Sequence, residues 1–234
     1  RSGPFSYRQR APQVACFYSA PLAWFCSAVD SGENFCAGAD LKEFGRRSDP
    51  AVAEAHCRNG HAMALALVEL DKPLIAAIEG ACLGGGFEIA LCCQMRIIAE
   101  GARLGLPEIN RGGFPGTGGI PLLERLLGAA RAYRWLARGE IYPIGAAETQ
   151  GIVDEVVPTG AALDVSLRIA NELAARPVHS MRAVTKLLHD DFRREFRAYL
   201  ERERALYVAI YQTQDAAEGW NSFLEKRPPQ WRHI

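Results

Sequence analysis

Two acids twenty residues apart, Glu88 and Glu108, sit where turns give way to regular structure. In KPLIAAIEGACLGGGFEIAL an apolar strand runs into three glycines, and Glu88 falls in the first turn of the helix that follows. In GLPEINRGGFPGTGG, Glu108 comes directly after Pro107. Upstream, FCAGADLKEF at residues 35–44 is a second loop able to present backbone amides. Amide-presenting turns stabilise an oxyanion because fixed dipoles need no reorganisation as charge develops, and a pair of carboxyls can move protons. Taken singly, each feature has a plainer explanation. The glycines suit any strand-to-helix turn, Glu88 suits the positive end of a helix dipole, and Glu108 suits a solvated turn. Together they are the parts of a site that stabilises an oxyanion and moves a proton.

The elements that must hold these groups are legible in outline. Asp49 and Pro50 read as N-cap and first residue of a helix through AVAEAHCRNGHAMALALVEL, with Gly60 as a weak point. Residues 73–78 form a continuous apolar run, which predicts a strand buried on both faces. Residues 87–93 read as a buried helix, 95–99 and 103–106 as short strands, 118–127 and 129–137 as helices parted at Gly128, and 152–157 as a strand ended by Pro158. Beyond these the pattern turns helical: 160–175, then 178–189 after a break at Pro177. Phe192, Phe196, Tyr199, Leu206 and Ile210 then form a stripe that Glu203 interrupts. Asp215 with Glu218 resembles a capping box for a last helix. The expected organisation is a mixed α/β core over residues 1–175 and a helical region over 176–234.

Bulk properties set limits. The 234 residues suit one large domain, or one domain plus an appendage, and 27 basic residues balance 27 acidic ones, so charge makes no case for nucleic acid or an acidic membrane. No apolar run is long enough to span a bilayer. The seven cysteines form no CxxC pair and are odd in number, which favours buried small hydrophobes in a reducing compartment over a disulfide framework. His56 and His61 lack HExxH spacing and a third ligand, so a helix-surface role is expected rather than a metal site. GGGFE is followed by no GK[ST], LGGG lacks the spacing and distal acid of a dinucleotide fingerprint, and no nucleophile elbow is present.

The ordered set FCAGADLKEF, KPLIAAIEGACLGGGFEIAL, LGLPEINRGGFPGTGG, GIVDEVV and EGWNSFLEKRPPQW resembles the crotonase superfamily, the enoyl-CoA hydratase/isomerase family, from about Asn34 to Trp231. The residues before Phe35, including SAPLAWFCSAVDSGEN, depart from the usual lead-in, so an atypical or truncated N-terminal part is expected. The resemblance implies an α/β crotonase fold of repeated ββα units with a C-terminal helical oligomerisation region, assembled as a trimer or a dimer of trimers. It implies an acyl-CoA thioester as substrate, no separate cofactor or metal, and a cytoplasmic enzyme, or one of an organelle matrix.

By that resemblance the backbone N–H groups of Ala39 and Gly85 form the oxyanion hole, and Glu88 and Glu108 match the catalytic glutamates of the hydratases. Ala37, Asp40, Leu41 and Lys42 fall in the CoA-binding stretch, Gly116 near the attacking water, and Phe223 and Lys226 where C-terminal residues reach the nucleotide. Asn110, Arg111 and Phe114 lie where acyl specificity is often set. The expected reaction is hydration of a 2-enoyl-CoA to a 3-hydroxyacyl-CoA. Isomerisation or another enolate reaction is the alternative, and a non-catalytic relative that keeps only the CoA site is a second.

Overall fold

The computed structural model describes residues 16–19, 24–27, 34–39, 41–146 and 149–233, with side chains for 34–39, 44–146 and 149–233. Its centre is β3 (Leu74–Ile78), whose five residues are all buried. Leu74, Ala76 and Ile78 pack into the main core, while Ile75 and Ala77 face a second cluster. This two-sided burial is what an unbroken LIAAI run dictates. Around it a five-stranded sheet has the order β1 (Cys16–Ser19), β2 (Trp24–Ser27), β3, β5 (Met95–Ala99), β8 (Glu155–Val157). All neighbours are parallel except β1, which runs antiparallel at one edge. The stretch before Phe35, expected to be atypical, thus supplies the edge strand β1 and its neighbour β2.

The short strands β4 (Ala81–Leu83), β6 (Arg103–Gly105) and β7 (Ile141–Pro143) form a second sheet. Chain-adjacent strands divide between the sheets: β3 and β5 lie in the first, β4 and β6 in the second, parallel to each other. Each pair then feeds a helix, α2 (Gly85–Leu91) after β4 and α3 (Gly119–Leu127) after β6. This is the expected ββα repetition. Phe35, Phe87, Ile98, Leu104, Leu123 and Trp135 fill the main core. On the sheet's other side Ala162 and Ala170 of α5 (Ala162–Ala174) cover Ile75, Ile97 and Val157.

α1 (Pro50–Val68) starts as the sequence predicts, with Asp49 accepting the Ala51 N–H at 2.9 Å. Gly60 is no mere weak point: a methyl group there would sit 2.7 Å from the Thr117 hydroxyl. α4 (Ala129–Arg138) follows α3 across Gly128. The expected strand over 152–157 is shorter, because the Arg96 guanidinium takes the Ile152 carbonyl at 2.5 Å and the Asp154 carboxylate at 3.1 Å.

The helical tail differs more. Residues 178–189 and the stripe beyond belong to one helix, α6 (Val178–Ile210), since neither proline nor glycine interrupts it. Its buried face is Phe196, Leu200, Glu203 and Tyr207, while Leu206 is 61% exposed. Phe196 and Leu200 join the main core. α7 (Gln214–Leu224) is capped by Thr213, whose hydroxyl accepts the Ala216 N–H at 3.2 Å, and not by an Asp215–Glu218 box. Asp215 accepts the backbone N–H groups of Arg232 and His233, and Glu218 pairs with Arg227. Cys36, Cys57, Cys82, Cys92 and Cys93 are buried, as expected of small hydrophobes. No helix among the described residues is long and apolar enough to cross a membrane.

Candidate active site

The two amide-bearing loops are bound to each other. Cys36 runs beside β4 as an added strand, its N–H donating to the Ala81 carbonyl at 3.0 Å and its carbonyl accepting from Leu83 at 2.9 Å. The chain then turns at Gly84, whose φ of +54° suits glycine. A side chain at Gly86 would overlap the Cys36 carbonyl oxygen, so only glycine lets α2 begin this close to the first loop. The space beside the Gly85 Cα is open. As the first residue of α2, Gly85 has no intrahelical acceptor for its N–H.

Both sequence-predicted acids meet at this junction. Glu88 is 2% exposed, and its Oε1 accepts the N–H groups of Thr117 at 2.8 Å and Gly119 at 2.9 Å. Glu108 sits in a 3-10 turn, Pro107–Arg111. Its Oε1 lies 3.1 Å from where a Gly84 side chain would start, and its Oε2 is enclosed with no hydrogen-bond partner. Glu108 is therefore not the solvated turn acid that its sequence position alone would suggest.

Burial pushes the Glu108 carboxyl up to about 7. Burial raises Glu88 well above the ordinary carboxyl range, and the charges of Glu108 and Glu203 add to the effect. The two backbone donors from Thr117 and Gly119 oppose it. A carboxyl pair of this kind titrates as a unit. Both carboxyls thus hold a proton more tightly than a solvated glutamate does.

Both carboxyls line a cavity of about 200 Å³ that also takes in Ala37, Ala39, Gly85 and Gly116. Part of its wall is aromatic and basic, built by Phe44, Arg47, His56, Phe114, Tyr207 and Tyr211. Arg47 is 4% exposed. It donates to the hydroxyls of Tyr207 at 3.0 Å and Tyr211 at 3.3 Å, and it lies over the Phe44 ring at 4.5 Å. His56 reaches Arg47 at 3.5 Å and stacks on Tyr207. Burial, with the Arg47 charge beside it, lowers His56 to about 4.

Sequence reasoning found Phe114 but missed Arg47, Tyr207 and Tyr211. The available signal was the Tyr207–Tyr211 spacing of four, one helical turn. The surface role expected for the histidines is also overturned. His56 lines the cavity, and His61 is buried, its Nε2 2.8 Å from Glu203 Oε1 and 3.2 Å from the Cys57 sulfur. Both follow from α1 turning its Cys57–His61 face inward.

Other sequence candidates fall as follows. Asp40, and the side chains of Leu41 and Lys42, lie outside the described residues; the backbone of Leu41–Ser48 is a 3-10 helix. Phe223 lies near the end of α7, beside Trp220 and 3.8 Å beneath the Arg111 guanidinium, and Lys226 follows it with φ of 53°. Arg111 lines the cavity, whereas the Asn110 amide donates to the Gly139 carbonyl at 2.7 Å.

The sequence pattern of the enoyl-CoA hydratase/isomerase family matches residues 29–233. A 2,3-dehydroadipyl-CoA hydratase of Escherichia coli is 34% identical over 88% of this chain and 80% of its own length. A probable enoyl-CoA hydratase of Bacillus subtilis is 34% identical over 86% of this chain and 78% of its own. Among solved structures, a carnitinyl-CoA hydratase from Mycobacterium avium superposes with a TM-score of 0.77 at 26% identity, covering 96% of this chain and all of that one.

Proposed function

The chain belongs to the enoyl-CoA hydratase/isomerase family, and we propose that within it this protein adds water across the double bond of a 2-enoyl-CoA to give a 3-hydroxyacyl-CoA. One observation carries the reading: two buried carboxyls sharing a cavity with two amide-bearing loops.

The thioester oxygen accepts from the N–H groups of Ala39 and Gly85, which withdraw electrons from the conjugated double bond and make its β-carbon electrophilic. A water between the carboxyls attacks that carbon. One glutamate takes the water's proton as the carbon–oxygen bond forms, and the electron pair moves through the α-carbon onto the thioester oxygen. The other glutamate gives its proton to the α-carbon, the carbonyl reforms, and one water has been added. Glu88 is kept in place by Thr117 and Gly119, while the partnerless Glu108 Oε2 is free to meet the water. Each amide donor contributes roughly 3–4 kcal/mol to such a transition state. CoA enters only as part of the substrate, with Ala37, Asp40, Leu41 and Lys42 along its path and Phe223 and Lys226 toward its nucleotide.

The neutral names of several relatives, hydratases rather than isomerases, support the same direction. Self-association belongs to this reading too. Val184, Leu187 and Leu188 form an exposed apolar run on α6, the kind of surface that a trimer or hexamer would cover.

The test follows the conjugated enoyl-thioester absorbance with crotonyl-CoA. Turnover by the wild type that falls roughly 10²–10⁴-fold in both Glu88→Gln and Glu108→Gln is expected. An unchanged rate in the two variants would sink the mechanism, and a 3-enoyl-CoA converted to its 2-enoyl isomer without hydration would replace it with isomerisation.

A further inference from the structure

We propose that the aromatic and basic wall of this cavity is an anion subsite, with Arg47 as its charged donor, which selects acyl groups ending in a carboxylate. The proposal rests on the hydration reading for what is turned over, but not for what is bound.

A buried guanidinium is costly unless something pairs with it. Among the described residues no carboxylate lies within ion-pair reach of Arg47, and its Nε is enclosed without an acceptor. Its Nη1 donates to two phenol hydroxyls. A hydroxyl that accepts through its oxygen still has its own proton to give. Burial raises both Tyr207 and Tyr211, so both phenols keep that proton. The wall therefore offers the Arg47 Nε–H, which has no acceptor among the described residues, beside two phenols that share a hydrogen bond with each other.

The surrounding groups fit an anion at this position. His56 is held neutral and adds no second charge. Phe44 lies beneath Arg47 and Phe114 edges Tyr207, giving apolar surface for a methylene stem between the two polar ends. Among the described residues, the titratable groups facing Arg47 are His56 from α1, Tyr207 and Tyr211 from α6 and its C-terminal end, and Glu108, which the Arg47 charge holds lower than burial alone would. A cavity of about 200 Å³ that also receives the thioester has room for a short acyl chain, not for a nucleotide. A planar carboxylate at the far end of that chain is the anion whose geometry a guanidinium matches.

The test compares trans-2-hexenedioyl-CoA with trans-2-hexenoyl-CoA, which share chain length and differ at the far end by carboxylate against methyl. For the wild type, kcat/KM is expected to favour the diacid by roughly tenfold to a hundredfold, the worth of a charge-assisted hydrogen bond. Arg47→Met should bring that ratio to one or below, and Arg47→Lys should restore part of it. Calorimetric binding of the unreactive pair adipyl-CoA and hexanoyl-CoA should show the same order. Binding that prefers adipyl-CoA in a protein that hydrates neither enoyl-CoA would uphold the subsite and overturn the hydration reading. A wild type that handles both acyl groups within twofold in rate and in binding overturns the subsite, as does a ratio that Arg47→Met leaves intact. Should Arg47→Met not fold, the wild-type ratio and its reduction in Tyr211→Phe decide the matter.

Discussion

A carboxyl oxygen enclosed without a partner works against the fold that encloses it. Glu108 is such a group, and its folded proton affinity states the sign. Its ordinary value of 4.5 is raised to about 7. Below pH 4.5 both folded and unfolded chains hold the proton. Between 4.5 and 7 the unfolded chain releases it first, so native stability falls as pH rises through that window, and the whole penalty is present above about 7. Glutamine cannot ionise. Glu108→Gln is therefore expected to melt higher than wild type at pH 8 and to show no such gain at pH 4.5, as differential scanning calorimetry would detect. A variant equally or less stable at pH 8 would deny the strained ionisation. In the wild type, kcat/KM should decline as pH drops below about 7 and Glu108 takes on its proton. Both glutamates are visible in the sequence because each follows a turn signal. Arg47 is not, because a guanidinium among Arg46, Arg47 and Ser48 looks like an ordinary solvated charge until the tyrosines of α6 are laid over it.

Among the elements, α2 shows how finely the site depends on its start. Gly85 and Gly86 are neighbours with opposite surroundings: open space at one, the Cys36 carbonyl at the other. Gly86→Ala must push the first loop away from α2 and is expected to cost at least about 1–3 kcal/mol, the usual range for overpacking. Gly85→Ala should fold with stability changed by no more than about 0.5 kcal/mol. Urea denaturation of the pair measures the contrast, and equal costs would mean that the loop does not lie against the helix as described. Elements of this kind are legible where composition alone determines them. β3 is an unbroken apolar run, and α1 opens on Asp49-Pro50. Legibility fails where a distant partner sets the boundary. β8 is shortened by an arginine from β5, and α7 takes its cap from Thr213 because Asp215 is engaged by the backbone of Arg232 and His233.

At the scale of the whole molecule, α6 ties the last quarter of the chain to the site through one acid. Glu203, 1% exposed, accepts from Gly118 N–H at 2.9 Å and pairs with His61 of α1. The loop 117–119 thus hangs between two buried carboxylates: Glu88 takes the first and third amides, and Glu203 the middle one. In the sequence Glu203 looks like an interruption of an apolar stripe; in the fold it occupies a core position between Leu200 and Tyr207. Its truncation should reach well beyond α6. Glu203→Ala leaves the Gly118 amide and the His61 ring nitrogen without their acceptor and is expected to cost about 3–5 kcal/mol, as breaking a buried pair does. Glu203→Gln keeps an acceptor oxygen and should cost less, yet it still removes a negative charge that raises Glu88. Glu88 then ionises more readily, so the pH profile of turnover should move toward lower pH in the glutamine variant while the fold persists. Urea titration combined with that profile separates the two roles: a glutamine variant with wild-type titration would reduce Glu203 to a structural anchor, and a shifted profile in a stable protein would make α6 part of the proton chemistry.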